Sequence, residues 1–86
     1  MIIMKEIRKK TWSEYFEKVV AGEKNFELRK DEDSVEVDDV LILEEWIPDG
    51  NGSGYYTGRK VRRTARYIIR NATELGLMSG YCIIGF

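Results

Sequence analysis

Trp12, Tyr15, Phe16, Val19 and Val20 fall at i, i+3, i+4, i+7 and i+8, and Gly22 follows directly after Ala21. That spacing predicts one amphipathic helix with a single apolar stripe. Thr11 and Glu14 form a T-x-x-E capping box at its start. Glu14 and Lys18 add an i,i+4 pair in the favourable order. Gly22 supplies the left-handed residue that stops the helix. The stripe predicts core packing, with Trp12 and Tyr15 at the helix start also placed to line a cleft. Everything else in the chain is short and strand-like, so this helix has to pack against a sheet.

Directly after the stop comes Gly22-Glu23-Lys24-Asn25-Phe26-Glu27-Leu28-Arg29. Alternation along a strand from about Phe26 puts Phe26 and Leu28 on one face and Glu27 and Arg29 on the other. The apolar pair is expected in the core. The charged pair, with Lys24 at the strand's mouth, is expected to face something polar. A glutamate and an arginine two apart on a strand face also read as a solvated ion pair.

Around these two elements the chain reads as strands and turns. Residues 2–8 alternate, with Ile3, Lys5 and Ile7 against Met4, Glu6 and Arg8, and Arg8–Lys10 reads as a basic turn. After a polar turn at 31–34, Val35 and Val37 alternate with acids, and Asp38-Asp39 makes another turn. Val40–Ile47 is a buried strand that Pro48 ends, because proline cannot donate to a sheet ladder. Asp49–Gly54 is a flexible loop tip. Residues 59–70 form a long strand, with Val61, Ala65, Tyr67 and Ile69 on one face and Lys60, Arg62, Arg66 and Arg70 mainly on the other. Arg63 breaks the apolar face and marks a bend or bulge. Asn71–Leu75 suggests a capped helical turn, and Tyr81–Phe86 a final apolar strand. The expectation is a single α+β domain over 1–86, with five to six strands, one main helix and a short helical turn.

Composition narrows the chemistry. With 86 residues, 43% hydrophobic and 34% charged, the chain supports one core with little surplus stability. No apolar run approaches the roughly 20 residues of a membrane span, and Met1–Lys5 does not read as a signal peptide. A cytoplasmic monomer is the expectation. Cys82 is the only cysteine and histidine is absent, so a disulfide framework, a thiolate metal cluster and the usual zinc sites are excluded within one chain. Neither metal nor cofactor is expected. Residues 31–49 carry nine acidic and no basic side chains; residues 59–70 carry six basic and no acidic ones. Such segregation indicates either a nucleic-acid face or two neighbouring segments that pair acid with base.

The spacing G-x-K-x-x-E-x-R, filled by Gly22, Lys24, Glu27 and Arg29, resembles the signature of the ASCH superfamily, small β-barrels related to the RNA-binding PUA domain. Trp12–Phe16, Glu45-Trp46, Tyr56–Arg59 and Gly80-Tyr81 extend the likeness to small stand-alone microbial proteins of that kind. The resemblance implies a PUA-like β-barrel with a cleft between helix and sheet, and a role in RNA binding. Some members of the superfamily hydrolyse acetylated cytidine with a lysine and a threonine of the signature strand. Lys24 matches their lysine, but Glu27 stands at the threonine position.

These readings converge on an RNA- or nucleotide-binding module. Lys24 and Arg29 would contact phosphate, Lys60, Arg62, Arg66 and Arg70 would extend the basic surface, and Arg59 belongs to the same ligand-binding set. Glu27 would accept from a base edge or ribose hydroxyl, and Trp12, Trp46, Tyr56 or Tyr81 would stack on an exposed base. An alternative is a small amidohydrolase acting on a modified pyrimidine nucleoside. Lys24 and Glu27 would then be catalytic and Arg29 would stabilise an oxyanion. A second alternative is a structural or protein-interaction domain presenting Trp46 and the 49–54 loop. The sequence pI near 5.5 weighs against a grip on a long polynucleotide.

Overall fold

Val40-Leu41-Ile42-Leu43 is the longest run of β-branched and leucine side chains in the chain, and it forms the centre of the larger sheet. In the computed structural model, which describes residues 4–86, six strands and one helix follow in order: β1 (Glu6–Trp12), α1 (Ser13–Val20), β2 (Phe26–Lys30), β3 (Val40–Pro48), β4 (Gly54–Thr64), β5 (Tyr67–Arg70) and β6 (Tyr81–Gly85). A short 3-10 turn, Thr73–Leu75, precedes β6. β3 lies between β1, which it pairs in parallel, and β4, which it pairs antiparallel. β6 is the centre of a second, wholly antiparallel sheet with β2 and β5 at its edges.

The two sheets share one core. Leu41 and Leu43 of β3 meet Cys82 and Ile84 of β6, with Ile7, Val19, Val35 and Ala65 around them. α1 covers this core with Phe16 and Val19, both almost wholly buried. Its stripe is narrower than five residues: Trp12, Tyr15 and Val20 are each about half exposed.

The expected closed barrel is not formed. β1 ends the first sheet and β2 the second, and no ladder joins them. The molecule is a mostly-strand domain of two open three-stranded sheets, not a PUA-like barrel. The long strand expected over 59–70 breaks at Ala65-Arg66. There the Ala65 amide donates to the Asp39 carbonyl and the Arg66 amide to the Gly85 carbonyl, which passes the chain from one sheet to the other. The irregularity in β4 lies not at Arg63 but opposite Glu45, where the register with β3 shifts between Glu44 and Trp46.

Two further local expectations are corrected. β1 runs through the expected basic turn as far as Trp12, because its parallel ladder with β3 continues to the Trp12–Trp46 rung. Residues 2 and 3, where the expected first strand begins, lie outside the described residues. Thr11 is consequently a buried strand residue and caps nothing; Trp12 occupies the N-cap without a side-chain bond. The stop at Gly22 is as expected, with φ of 77° and its amide donating to the Val19 carbonyl. Lys18 pairs with Glu23 instead of Glu14.

The acidic and basic segments do meet in part. Arg70 binds Asp31 at 2.8 Å, and Lys60 stands opposite Glu44 in the β3–β4 register. Arg62 turns elsewhere, to Glu6.

Candidate functional site

β2 faces the opposite way from the alternation reading. Glu27 is 4% exposed, whereas Phe26 and Leu28 are 47% and 57% exposed. The carboxylate is drawn inward because two cations meet it there. Lys24 Nζ donates to Glu27 Oε1 at 2.6 Å and Arg29 Nε to Oε2 at 2.8 Å. A buried carboxylate is costly unless paired and hydrogen-bonded on both oxygens, and here both are.

The same two cations close the neighbourhood. Lys24 also donates to the Phe26 carbonyl at 2.7 Å. Arg29 Nη2 reaches across to β1, donating to the Lys10 carbonyl at 2.9 Å and to Thr11 Oγ1 at 3.2 Å. Two hydrogen bonds from the Arg29 side chain thus span the interval where a barrel would have a ladder. That interval is a cleft of about 630 Å³, lined on one side by Lys10, Thr11 and Trp12, on the other by Phe26–Arg29, and by Tyr15 and Lys24. Lys24 Nζ lies 5.0 Å from the Phe26 ring centre and 5.9 Å from that of Tyr15, within cation–π range.

Of the residues marked in the sequence, Lys24, Glu27, Arg29 and Trp12 come together here. Trp46 stands just outside, its ring centre 6.4 Å from that of Trp12 and 4.3 Å from Lys10 Nζ. Tyr56 is the next rung of the same row, opposite Trp46 on β4. Arg59 is not part of the cleft: it binds Glu17 at 2.6 Å and lies over the Phe16 ring at 5.0 Å. Lys10, Thr11, Phe26 and Leu28 line the cleft without having been marked as site residues. Alternation with hydrophobicity places Phe26 and Leu28 in the core, and the T-x-x-E spacing makes Thr11 a helix cap.

Glu45, one residue before Trp46, has a structural task. It is buried and accepts from Ser13 Oγ and Thr57 Oγ1, both at 2.7 Å, with Arg59 at 3.5 Å. The Thr57 hydroxyl foremost, then that of Ser13, hold its carboxyl below the usual glutamate range. Glu45 ties the first residue of α1 to the irregular part of β4, which fixes the helix start beside the cleft. Burial pushes the Cys82 thiol up, away from nucleophilic chemistry. Among the described residues no group of three acidic or cysteine side chains is placed to hold a metal ion, and no helix is long and apolar enough to cross a membrane.

A small, mostly-strand domain with an ion-paired cleft between two open sheet edges is thus defined by fold and site. The chain belongs to the DUF3850 family, described as a domain of unknown function, whose profile matches residues 7–86. It is also 42% identical over 52 residues to an uncharacterized 12.9 kDa protein in the GpA 3′ region of Escherichia phage P2. That match covers 60% of this chain and 43% of the phage protein, so the aligned part is less than half of the relative's length.

Proposed function

We propose that the cleft binds single-stranded RNA or a nucleotide-like ligand. One observation carries this reading: a fixed Lys24–Glu27–Arg29 cluster and the rings of Trp12, Tyr15 and Phe26 converge on a single opening of nucleotide size. Donor arithmetic supports it. Lys24 uses two of its three N–H groups on Phe26 and Glu27, and Arg29 leaves Nη1 unassigned. These remaining donors suit phosphate oxygens, and the half-exposed rings suit a base face. With Lys10, the lining carries three cations against one carboxylate. The likeness of Gly22, Lys24, Glu27 and Arg29 to the ASCH signature supports the same reading.

The geometry supports hydrolysis less well. Thr11 is the one aliphatic hydroxyl in the lining, and its Oγ1 donates to the Lys9 carbonyl at 3.3 Å while accepting from Arg29. Lys24 and Glu27 are committed to each other, which leaves no proton acceptor beside Thr11. Binding requires no rearrangement of these contacts.

The test is a chemical-shift titration of labelled protein with short single-stranded RNA, then cytidine and N4-acetylcytidine nucleotides, at low and high salt. Salt-sensitive shifts at Lys24–Arg29 and Trp12 are expected, without product. Absence of shifts at these residues with every ligand overturns the reading.

A further inference from the structure

β2 leaves one side of its backbone unpaired. The Phe86 amide donates to the Asn25 carbonyl and the Asp31 amide to the Gly80 carbonyl, in register with the β2–β6 ladder. Antiparallel ladders alternate, so the odd-numbered residues turn their amides toward β6 and Phe26, Leu28 and Lys30 turn theirs to the free edge. Lys24 Nζ takes the Phe26 carbonyl, and the Glu32 amide takes that of Lys30 at 3.0 Å. On the facing edge, Arg29 takes the Lys10 carbonyl. Among the described residues Leu28 is therefore the one position of this edge with both its N–H and its C=O open, and it borders the cleft.

We infer that the Leu28 N–H and C=O read the Watson–Crick edge of an unpaired base, so that the ligand is a nucleotide whose base-pairing edge is free. The inference rests on the nucleotide reading of the cleft. An open edge rung offers a donor and an acceptor side by side. Each base carries a matching neighbouring pair: N3–H and O4 in uracil, N3 and the amino group in cytosine, N1–H and O6 in guanine, N1 and the amino group in adenine. The rung therefore does not choose among the four bases. It separates a free edge from one already engaged in a duplex or blocked by methylation, because a blocked edge leaves the strand's polar groups without water or partner. Phe26 and Tyr15 border the same opening and supply apolar surface for the base, and Lys24 and Arg29 supply the charge for its phosphate.

The experiment compares UMP, N3-methyl-UMP and ribose 5-phosphate on the intact chain, with amide hydrogen exchange as a second readout. UMP is expected to slow exchange of the Leu28 amide and to bind about ten-fold more tightly than N3-methyl-UMP, the value of one or two hydrogen bonds. Leu28→Ala keeps the backbone pair and is expected to keep the discrimination. Leu28→Pro removes the N–H at a free edge, where proline is tolerated, and is expected to erase it. Equal binding of UMP and N3-methyl-UMP to the parent protein, with Leu28 exchange unchanged, overturns the inference, and tighter binding of both than of ribose 5-phosphate then leaves the cleft a nucleotide site. Failure of all three and of short single-stranded RNA overturns the reading of the cleft as well. The parent comparison requires no variant, so a misfolded Leu28→Pro does not rescue the inference.

Discussion

Glu27 and Arg29, two positions apart on β2, hold each other at 2.8 Å on the inward side of the strand, with Lys24 at 2.6 Å on the other carboxylate oxygen. The carboxylate is the hub and the two cations are its spokes. Removing the hub leaves two partly buried positive charges facing each other. Glu27→Ala is expected to cost about 2–3 kcal/mol in urea unfolding, somewhat under the cost of breaking a fully buried pair because Lys24 and Arg29 keep contact with water.

Removing one spoke has a different effect. Lys24→Met retains the apolar stem and leaves Glu27 paired with Arg29, so the fold is expected to survive. Affinity for single-stranded RNA should fall, and the slope of log K against log salt should flatten by roughly 0.7, the loss of one phosphate contact. Arg66→Met, which changes an exposed cation outside the cleft, should leave both unchanged. An equal drop for the two variants would point to net charge instead of a site.

The row Trp12, Trp46, Tyr56 crosses all three strands of the first sheet, and Gly54 makes it possible. A Cβ at Gly54 would overlap the Trp46 ring and the Ile47 carbonyl. Gly54→Ala must displace the Trp46 indole and shift the Ile47 carbonyl. Overpacking of this kind costs about 1–3 kcal/mol, and the tryptophan emission should shift with it. A variant with parental emission and stability would show that the ring does not need this close approach.

What could be read from the sequence divides along physical lines. α1 and its stop at Gly22 are local: the apolar spacing and the left-handed glycine act within a few residues. Lys24, Glu27 and Arg29 were also legible as a cluster, since their spacing is short. Which way β2 faces was not. Alternation separates Phe26 and Leu28 from Glu27 and Arg29 but does not say which pair is inside, and hydrophobicity points to the wrong one. The answer lies on β1, whose Lys10 carbonyl and Thr11 hydroxyl await Arg29 from 19 and 18 residues away. Barrel closure was illegible for the same reason: Asp39 and Gly85, both distant in sequence, divide residues 59–70 between two sheets. The charge segregation left two readings open because cross-strand register, which pairs Glu44 with Lys60, is itself a long-range property.

Glu45 connects acid sensitivity to the cleft. Its carboxylate is held by the hydroxyls of Thr57 and Ser13, which places its folded pKa below the unfolded value of about 4.3. A group whose folded pKa is depressed stabilises the fold fully above the unfolded value, and that contribution disappears as pH falls through the folded one. Glu45→Gln never carries the charge. The parent is therefore expected to be the more stable at neutral pH, and the gap should narrow as the pH drops below about 4. Urea midpoints for the two proteins across this range test it. Ser13 begins α1 and Trp12 precedes it, so protonating Glu45 also loosens the wall of the cleft. Affinity for single-stranded RNA, measured on the parent over the same range, should weaken in step with the narrowing gap. A gap that stays constant with pH would mean that the carboxylate's charge contributes nothing to holding the helix start.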